Sequence, residues 1–333
     1  DGDLRNHIIH PDIHIHSLNK RNRWDIVGFL LRYFRLLSSI KPDILHGYLS
    51  MSNIIAAISK IIHPKMVVIF GIRSSYHDLS KFDWLAKLEF FTEARFARLA
   101  DRIIVNSESG KNNLIRKKYP SQKINVIPNG INTDAFSINR EAGKAFREYW
   151  DIPSNIILIG IVGRLDPVKN HPLFINAASE IIKKIPNTQF ICVGSGNDLY
   201  EQHLKEMSDN LLSNKLKWIP TQTDMLSVYN ALDICCNVSI NEGFSNVIGE
   251  AMACGIPCIV TDVGDSGIIV GDTGIVIESN NQKALENAII TLINSKSRKE
   301  SEFKTRERII NNFSQKELTN RTERLLLNFV VDK

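Results

Sequence analysis

The 333-residue sequence has no run approaching about 18 uncharged apolar residues, so a membrane-spanning helix is not expected. Its opening, Asp1-Gly2-Asp3-Leu4-Arg5, lacks the basic-then-apolar profile of a secretory signal, and a cytoplasmic chain is the expectation. Cysteine is scarce. The five thiols, Cys192, Cys235, Cys236, Cys254 and Cys258, all lie in apolar runs of the second half. Their spacing closes no zinc pattern, so they are expected to be reduced core thiols, with no metal. Low-complexity tracts are absent, as is any repeat of about 20 to 50 residues, which argues against fibrous and solenoid architectures. What remains is 43% apolar and 23% charged, enough to build two ordinary cores.

The net charge of +5 is unevenly spread. Residues 1 to 130 carry 20 Lys and Arg against 11 Asp and Glu, while residues 131 to 333 carry 21 against 25. Seven of the nine histidines also fall in the first part. That half should attract anions: phosphates, a lipid pyrophosphate or an anionic bilayer surface.

Short β-branched runs alternate with longer amphipathic stretches, the signature of βα units feeding a mainly parallel sheet. Strands are predicted at about 12–18, 43–48, 65–72, 101–107 and 123–128. Between the first two, Trp24 to Ile40 sets Ile26, Leu30, Phe34 and Leu37 at helical spacing, and Pro42 stops the helix. Leu85 to Leu99 carries a similar stripe, expected to cover the sheet or lie on a membrane. Pro128-Asn129-Gly130 then breaks the pattern. A second α/β series follows, with strands from Ile156, Gln189, Lys215, Ile234 and Cys258, and a last helix from about Gln315 to Val330. The expected division is 1–135, a linker 136–152, a second domain 153–314 and a C-terminal helix 315–333. The first strand arrives only near Asp12, so the first domain is expected to lack its opening βα unit or units, with residue 1 internal to a longer protein.

Two segments concentrate chemistry. In Gly160-Ile161-Val162-Gly163-Arg164-Leu165-Asp166-Pro167-Val168-Lys169-Asn170-His171 a buried strand breaks at Gly163 and delivers Arg164 and Lys169 to the sheet's carboxyl edge. An Arg fork and a Lys point charge there can neutralise a departing diphosphate. In Asn241-Glu242-Gly243-Phe244-Ser245-Asn246-Val247-Ile248-Gly249-Glu250 a strand gives way to a helix with Ser245 as N-cap. The amides of Asn246, Val247 and Ile248 would then face a ligand, a diphosphate fitting best. Glu242 precedes the helix; Glu250, about two turns inside it, could accept from ribose hydroxyls. Weaker signals are Asp1-Gly2-Asp3, a D-x-D with no strand before it, and Gly194-Ser195-Gly196, which lacks the third glycine of a dinucleotide fingerprint.

These blocks, with Asn106-Ser107-Glu108, Val126 to Asn132, Val193 to Gly196 and Val263-Gly264-Asp265, resemble retaining nucleotide-sugar glycosyltransferases of family 4. The likeness runs from about residue 40 to 330 and is strongest to bacterial enzymes of surface-polysaccharide and lipid-linked oligosaccharide synthesis, O-antigen and lipopolysaccharide included. It implies a GT-B architecture: two facing Rossmann-like domains with mainly parallel sheets, donor on the second and acceptor on the first. By position in the motifs it implies catalytic roles for Glu242, Arg164 and Lys169. Donor contacts fall to Glu250, Phe244, Ser245, Asn246, Val247 and Gly163, and the turn Pro220 to Asp224 borders the nucleobase.

The sequence also departs from the family. A His common beside the reacting sugar is replaced in Gly71-Ile72-Arg73-Ser74-Ser75-Tyr76-His77, which leaves Arg73 as the candidate for that wall and His46 as a second cleft residue. The family's glycine-rich loop after its first strand is not present. The resulting expectation is a metal-independent, cofactor-free, retaining hexosyltransferase. It would take a UDP- or GDP-linked sugar to a lipid-linked saccharide or growing polysaccharide, with transient contact to the inner membrane face and no nucleic-acid partner. A nucleotide-sugar binding module without catalysis and a UDP-N-acetylglucosamine epimerase of the same fold are the alternatives.

Overall fold

Strands whose alternate residues are apolar on both faces must be covered on both, and that requirement organises the chain into two parallel sheets flanked by helices. The computed structural model describes residues 10–22, 24–73, 84–212, 215–295 and 298–329. In the first half the elements are α1 (Ile26–Ile40), β1 (Ile44–Tyr48), α2 (Ser50–Ile62), β2 (Val67–Ile72), α3 (Trp84–Phe96), β3 (Arg102–Val105), α4 (Glu108–Arg116) and β4 (Ile124–Val126). Their strands pair in sequence order, β1-β2-β3-β4, all parallel.

The second half begins with α5 (Arg140–Tyr149), β5 (Ile157–Val162), α6 (His171–Lys184), β6 (Thr188–Val193), α7 (Asp198–Leu212) and β7 (Leu216–Ile219). It continues with α8 (Met225–Ala231), β8 (Ile234–Asn237), α9 (Asn246–Ala253), β9 (Cys258–Thr261), α10 (Ser266–Val270), β10 (Ile275–Ile277), α11 (Gln282–Asn294), α12 (Arg298–Phe313) and α13 (Gln315–Leu327). The sheet order is β10-β9-β8-β5-β6-β7, again parallel. The order reverses between β5 and β8, the switch point outside whose carboxyl ends such sheets bind ligands. Alternation along β5 is complete: Leu158 and Val162 enter one core, Ile159 and Ile161 the other. All five cysteines are buried free thiols.

Local signals place the helices. Asn170, in the left-handed region at φ 56°, and Pro172 open α6, and Lys183 and Lys184 complement its carboxyl end. Ser314 accepts from the Glu317 amide at 3.2 Å and starts α13. Residue 131 and residue 314 lie side by side where the chain passes between the sheets. The Ile131 amide donates to the Phe313 carbonyl at 2.7 Å, and the Gln315 amide to the Ile131 carbonyl at 2.9 Å. From there α13 returns over the first sheet, with Leu318 beside His46 and Arg73.

Three expectations need correction. Residues 12–18 form no strand: Ile13 and Ile15 are exposed, and two apolar side chains flanked by histidines offer too little surface to hold an edge. The helix at Leu85 to Leu99 is α3, but it does not simply cover the sheet. Glu93 and Ala97 face inward while Trp84, Leu88 and Phe91 are exposed. Ile26, expected in the core stripe of α1, is also exposed, whereas Leu37 at the other end of that stripe is buried. The short strand β10 was not anticipated from three apolar residues. Among the described residues no helix is long and apolar enough to cross a membrane.

Phe190 is fully buried edge-on to Phe174, ring centroids 5.6 Å apart. Phe190→Ala should lower the unfolding free energy by about 3–5 kcal/mol. Leu199→Ala, at an exposed position, should change it by about 0.5 kcal/mol or less. Urea denaturation followed by circular dichroism measures both.

Candidate functional site

The carboxyl ends of β5, β6 and β8 meet closely because glycine permits it. Gly163 and Gly194 both sit at φ +147°, and a Cβ on Gly194 would lie 2.0 Å from the Gly163 carbonyl oxygen. The two loops zip together through Gly163 N to the Val193 carbonyl, 2.9 Å, and Leu165 N to the Ser195 carbonyl, 3.0 Å. Beyond Gly163 the Asp166 side chain accepts from the Val168 amide at 2.9 Å, curling the chain into the tight turn Pro167–Lys169. The Val168 carbonyl then accepts from the Ile240 amide, so the β5 and β8 loops are fastened by backbone.

That fastening brings Lys169 to Glu242. Lys169 Nζ lies 2.5 Å from Glu242 Oε1, which also accepts from Ser239 Oγ at 2.8 Å. The side chains are 22% and 11% exposed, so the pair is largely withdrawn from water yet reachable. Arg164 differs: its side chain is 74% exposed and pairs with Asp166 at 3.1 Å, leaving the guanidinium free to swing toward a ligand. Behind Lys169, burial and the Lys169 charge push the His171 imidazole down to about 4, so this histidine is neutral.

Ser245 occupies the N-cap position of α9 but makes no side-chain cap; its Oγ instead accepts from Asn237 Nδ2 at 3.0 Å. The helix's opening amides, which have no intrahelical partners, are therefore not claimed by that hydroxyl. Phe244 is buried against Phe313, ring centroids 5.6 Å apart, so it can offer a ligand only its backbone. Glu250 is the fifth residue of α9, little more than one turn in rather than two. Its Oε2 accepts from the Tyr229 hydroxyl at 2.7 Å. Burial holds the Glu250 carboxyl above its ordinary range, partly offset by that hydroxyl.

The turn expected near a nucleobase touches the same region: Thr221 donates from both its amide and its hydroxyl to Ser195 Oγ, each at 3.2 Å. An open pocket of about 560 Å³ lies there, framed by Arg164, Asp166, Pro167, Ser195, Asn197 and Tyr200.

Arg73 reaches the site from the first domain. Its guanidinium donates to Asn129 Oδ1 at 3.1 Å, and Asn129 Nδ2 donates to Asn246 Oδ1 at 3.0 Å, a relay ending on the first residue of α9. The Tyr48 ring supports the guanidinium from 5.5 Å. His46 stacks on Tyr48 at 4.3 Å and lies partly buried in a small space shared with Arg73, Leu318 and Thr322. Burial and the Arg73 charge push it down to about 4, and its Nε2 has no hydrogen-bond partner. Sequence reasoning missed Ser239, Tyr229 and Asn129. Asn129 stood in view within Pro128-Asn129-Gly130, but as a boundary turn. Asp1-Gly2-Asp3 and Ser74 to His77 lie outside the described residues. Among the described residues no group of three His, Cys, Asp or Glu side chains is placed to hold a metal ion.

Comparison with known proteins gives these residues a context. A family model for "Glycosyltransferase Family 4" matches residues 1–135, and one for "Glycosyl transferases group 1" matches residues 157–295. The chain is 26% identical over 309 residues to the Escherichia coli UDP-Gal:alpha-D-GlcNAc-diphosphoundecaprenol alpha-1,3-galactosyltransferase, covering 91% of this chain and 80% of that one. It is 28% identical over 297 residues to the Staphylococcus aureus capsular polysaccharide biosynthesis glycosyltransferase CapM, covering 86% and 76%. Of a further curated relative, 30% identical over 209 residues, the chain spans about half, 49%. The crystal structure of Anabaena Alr3699/HepE in complex with UDP superposes with a TM-score of 0.81 at 19% identity, covering 90% of this chain and 82% of that one. The two matched models take in most of the sequence and the fold agrees: this chain belongs to the group 1, family 4 glycosyltransferases and has their two-domain GT-B fold.

Proposed function

We propose that this chain transfers a hexose from a UDP- or GDP-linked donor to a lipid-linked saccharide or growing surface polysaccharide, with retention of configuration and without a metal. The carrying observation is the Lys169–Glu242 pair at the switch point of the second sheet, with Arg164 exposed on the same loop as Lys169 and the α9 amino terminus four residues beyond Glu242. The lipid-linked substrate of the Escherichia coli relative and the capsular polysaccharide role of the Staphylococcus aureus one favour this acceptor class. The UDP bound by the Anabaena neighbour favours a uridine donor.

In this reading the bond between the anomeric carbon and the β-phosphate oxygen breaks as an acceptor hydroxyl attacks the same face of the sugar. The acceptor's proton passes to the departing phosphate. Negative charge grows on the diphosphate, and Arg164, Lys169 and the amides of Asn246 and Val247 stabilise it where water is partly excluded. Lys169 is held ready by Glu242, and Glu242 by Ser239, so neither must be ordered at the moment of reaction. Glu242 contacts the transferred sugar, Glu250 accepts from the ribose hydroxyls, and the Gly163 and Ser245 backbones leave room for the phosphates. Arg73, with His46 behind it, forms the acceptor-side wall.

The first domain's charge and its apolar surface extend the proposal to a peripheral position on the cytoplasmic membrane face. Val27 and Leu31, four apart on α1, are 73% and 64% exposed, and Trp24 in the turn before the helix is 77% exposed. Trp84 and Phe91 of α3 are equally bare. Apolar anchors beside an excess of Lys and Arg suit an anionic bilayer.

Mass spectrometry of products from a panel of nucleotide sugars and lipid pyrophosphate acceptors should show one hexose added to one acceptor class; donor binding with no product in any combination would leave a binding module instead. Arg164→Ala should lower turnover about 10²- to 10³-fold, and Glu250→Ala should chiefly weaken the donor dissociation constant in calorimetry. In sedimentation at low salt, vesicles rich in phosphatidylglycerol should retain the protein, and Val27→Glu combined with Leu31→Glu should release it; retention equal to that by neutral vesicles would refute membrane attraction.

A further inference from the structure

The donor loop and the first domain are joined by one buried carboxylate that none of the roles above uses. Asp265 stands at the N-cap position of α10 but makes no cap for its own helix. Its side chain crosses to the other domain instead. Oδ2 accepts from the Glu108 amide at 2.8 Å and Oδ1 from the Ser109 amide at 3.0 Å, the first two residues of α4. The helix's third amide, Gly110, is taken by Ser107 Oγ at 3.0 Å, so the amino terminus of α4 is capped jointly by both domains. Asp265 is 4% exposed, and an anion so placed is favoured by the positive end of the helix.

The same residue is tied by its backbone to the donor loop. Its amide donates to the Gly243 carbonyl at 2.9 Å. Gly264 before it, at φ +59°, lies so close that a Cβ there would meet the Glu242 carbonyl oxygen at 2.4 Å. The Glu242-Gly243 loop and the amino terminus of α4 therefore both bear directly on Asp265. Beside the carboxylate an interdomain pocket of about 300 Å³, bordered by Glu108, Pro128, Phe244, Ile268 and Arg321, leaves the joint room to turn.

We propose that Asp265 is the pivot that couples the Glu242-Gly243 loop to the orientation of the first domain, a positioning residue for closure of the cleft. Its link to donor occupancy rests on the donor reading above; its role as interdomain pivot does not.

The full chain with Asn112→Cys in α4 and Gln202→Cys in α7 takes two spin labels selectively, both positions being exposed and the five native thiols buried. Pulsed electron paramagnetic resonance then reads the distance between domains. Two variants weaken the contact from opposite sides. Asp265→Asn puts an amide N–H where an acceptor stood. Glu108→Pro deletes one donor at the first helical position, where proline is favoured and the preceding Ser107 is already extended at φ −157°, ψ 151°.

Each variant should at least double the width of the distance distribution, and the double variant should be no broader than either alone. Added UDP should narrow the distribution in the parent and not in the variants. Unchanged width in both variants, or broadening that adds in the double variant, overturns the pivot. If calorimetry finds no UDP binding at all, the donor reading fails while the widths still decide the pivot. An unfolded Asp265→Asn, seen by circular dichroism, leaves the decision to Glu108→Pro.

Discussion

The ion pair between Lys169 and Glu242 ties together the two segments on which the site is built. Its Lys comes from the turn after β5 and its Glu from the loop after β8, elements 73 residues apart in sequence. An exposed pair of this kind contributes about 0–1 kcal/mol, while removing one member of a fully buried pair costs about 3–5 kcal/mol. With less than a quarter of each side chain exposed, this pair lies between those limits. Its consequence is geometric more than energetic: a cation and a carboxylate are fixed at one edge of the sheet, each oriented by the other. Ser239 supplies the remaining hydrogen bond to the same oxygen, so the carboxylate's position does not depend on Lys169 alone.

That edge exists because backbones can approach each other there. The Gly163 and Gly194 loops touch where a side chain on Gly194 would run into the Gly163 carbonyl, which lets the loops after β5 and β6 lie against each other at the cleft. Beneath them, Val162 and Val193 seal the core. The polar groups above it are partnered in a continuous series: Asp166 to Val168, Val168 to Ile240, Glu242 to Lys169 and Ser239. A ligand entering this series meets preset dipoles and charges with little left to organise.

What could be read in the sequence is what depends on short-range pattern. Strands β5, β6, β8 and β9 are buried on both faces and announced themselves as β-branched runs, and the Arg164, Lys169, Glu242 and Glu250 motifs lie within single segments. Features that depend on distant partners were not legible. Ser239 is an ordinary loop serine until Glu242 folds onto it, and Tyr229 is a core aromatic until Glu250 accepts from its hydroxyl. Ser245 has the right type and place for a cap, yet Asn237 competes for its oxygen, and no local rule foresees that. Residues 12–18 show the converse: local β propensity without a neighbouring surface to pack on gives no strand.

The joint between the domains follows a different logic from the cores on either side. Each core is a closed apolar cluster, whereas the contacts crossing the cleft are mostly single polar ones: Arg73 to Asn129 to Asn246, and Asp265 to α4. The exposed bonds among Arg73, Asn129 and Asn246 can exchange with water at small net cost, so they define an orientation without locking it, whereas the Asp265 bonds are buried and hold more firmly. An apolar contact accompanies them. Ile131, 3% exposed, packs against α9 so tightly that a Cβ on Gly249 would meet its side chain at 2.7 Å. Ile131 also carries the backbone bridge to Phe313 and Gln315, where the chain crosses between domains a second time. The crossing point therefore bears directly on the helix whose amino terminus faces the site. A rotation at the joint cannot leave α9 undisturbed, because close-packed groups transmit displacement instead of absorbing it.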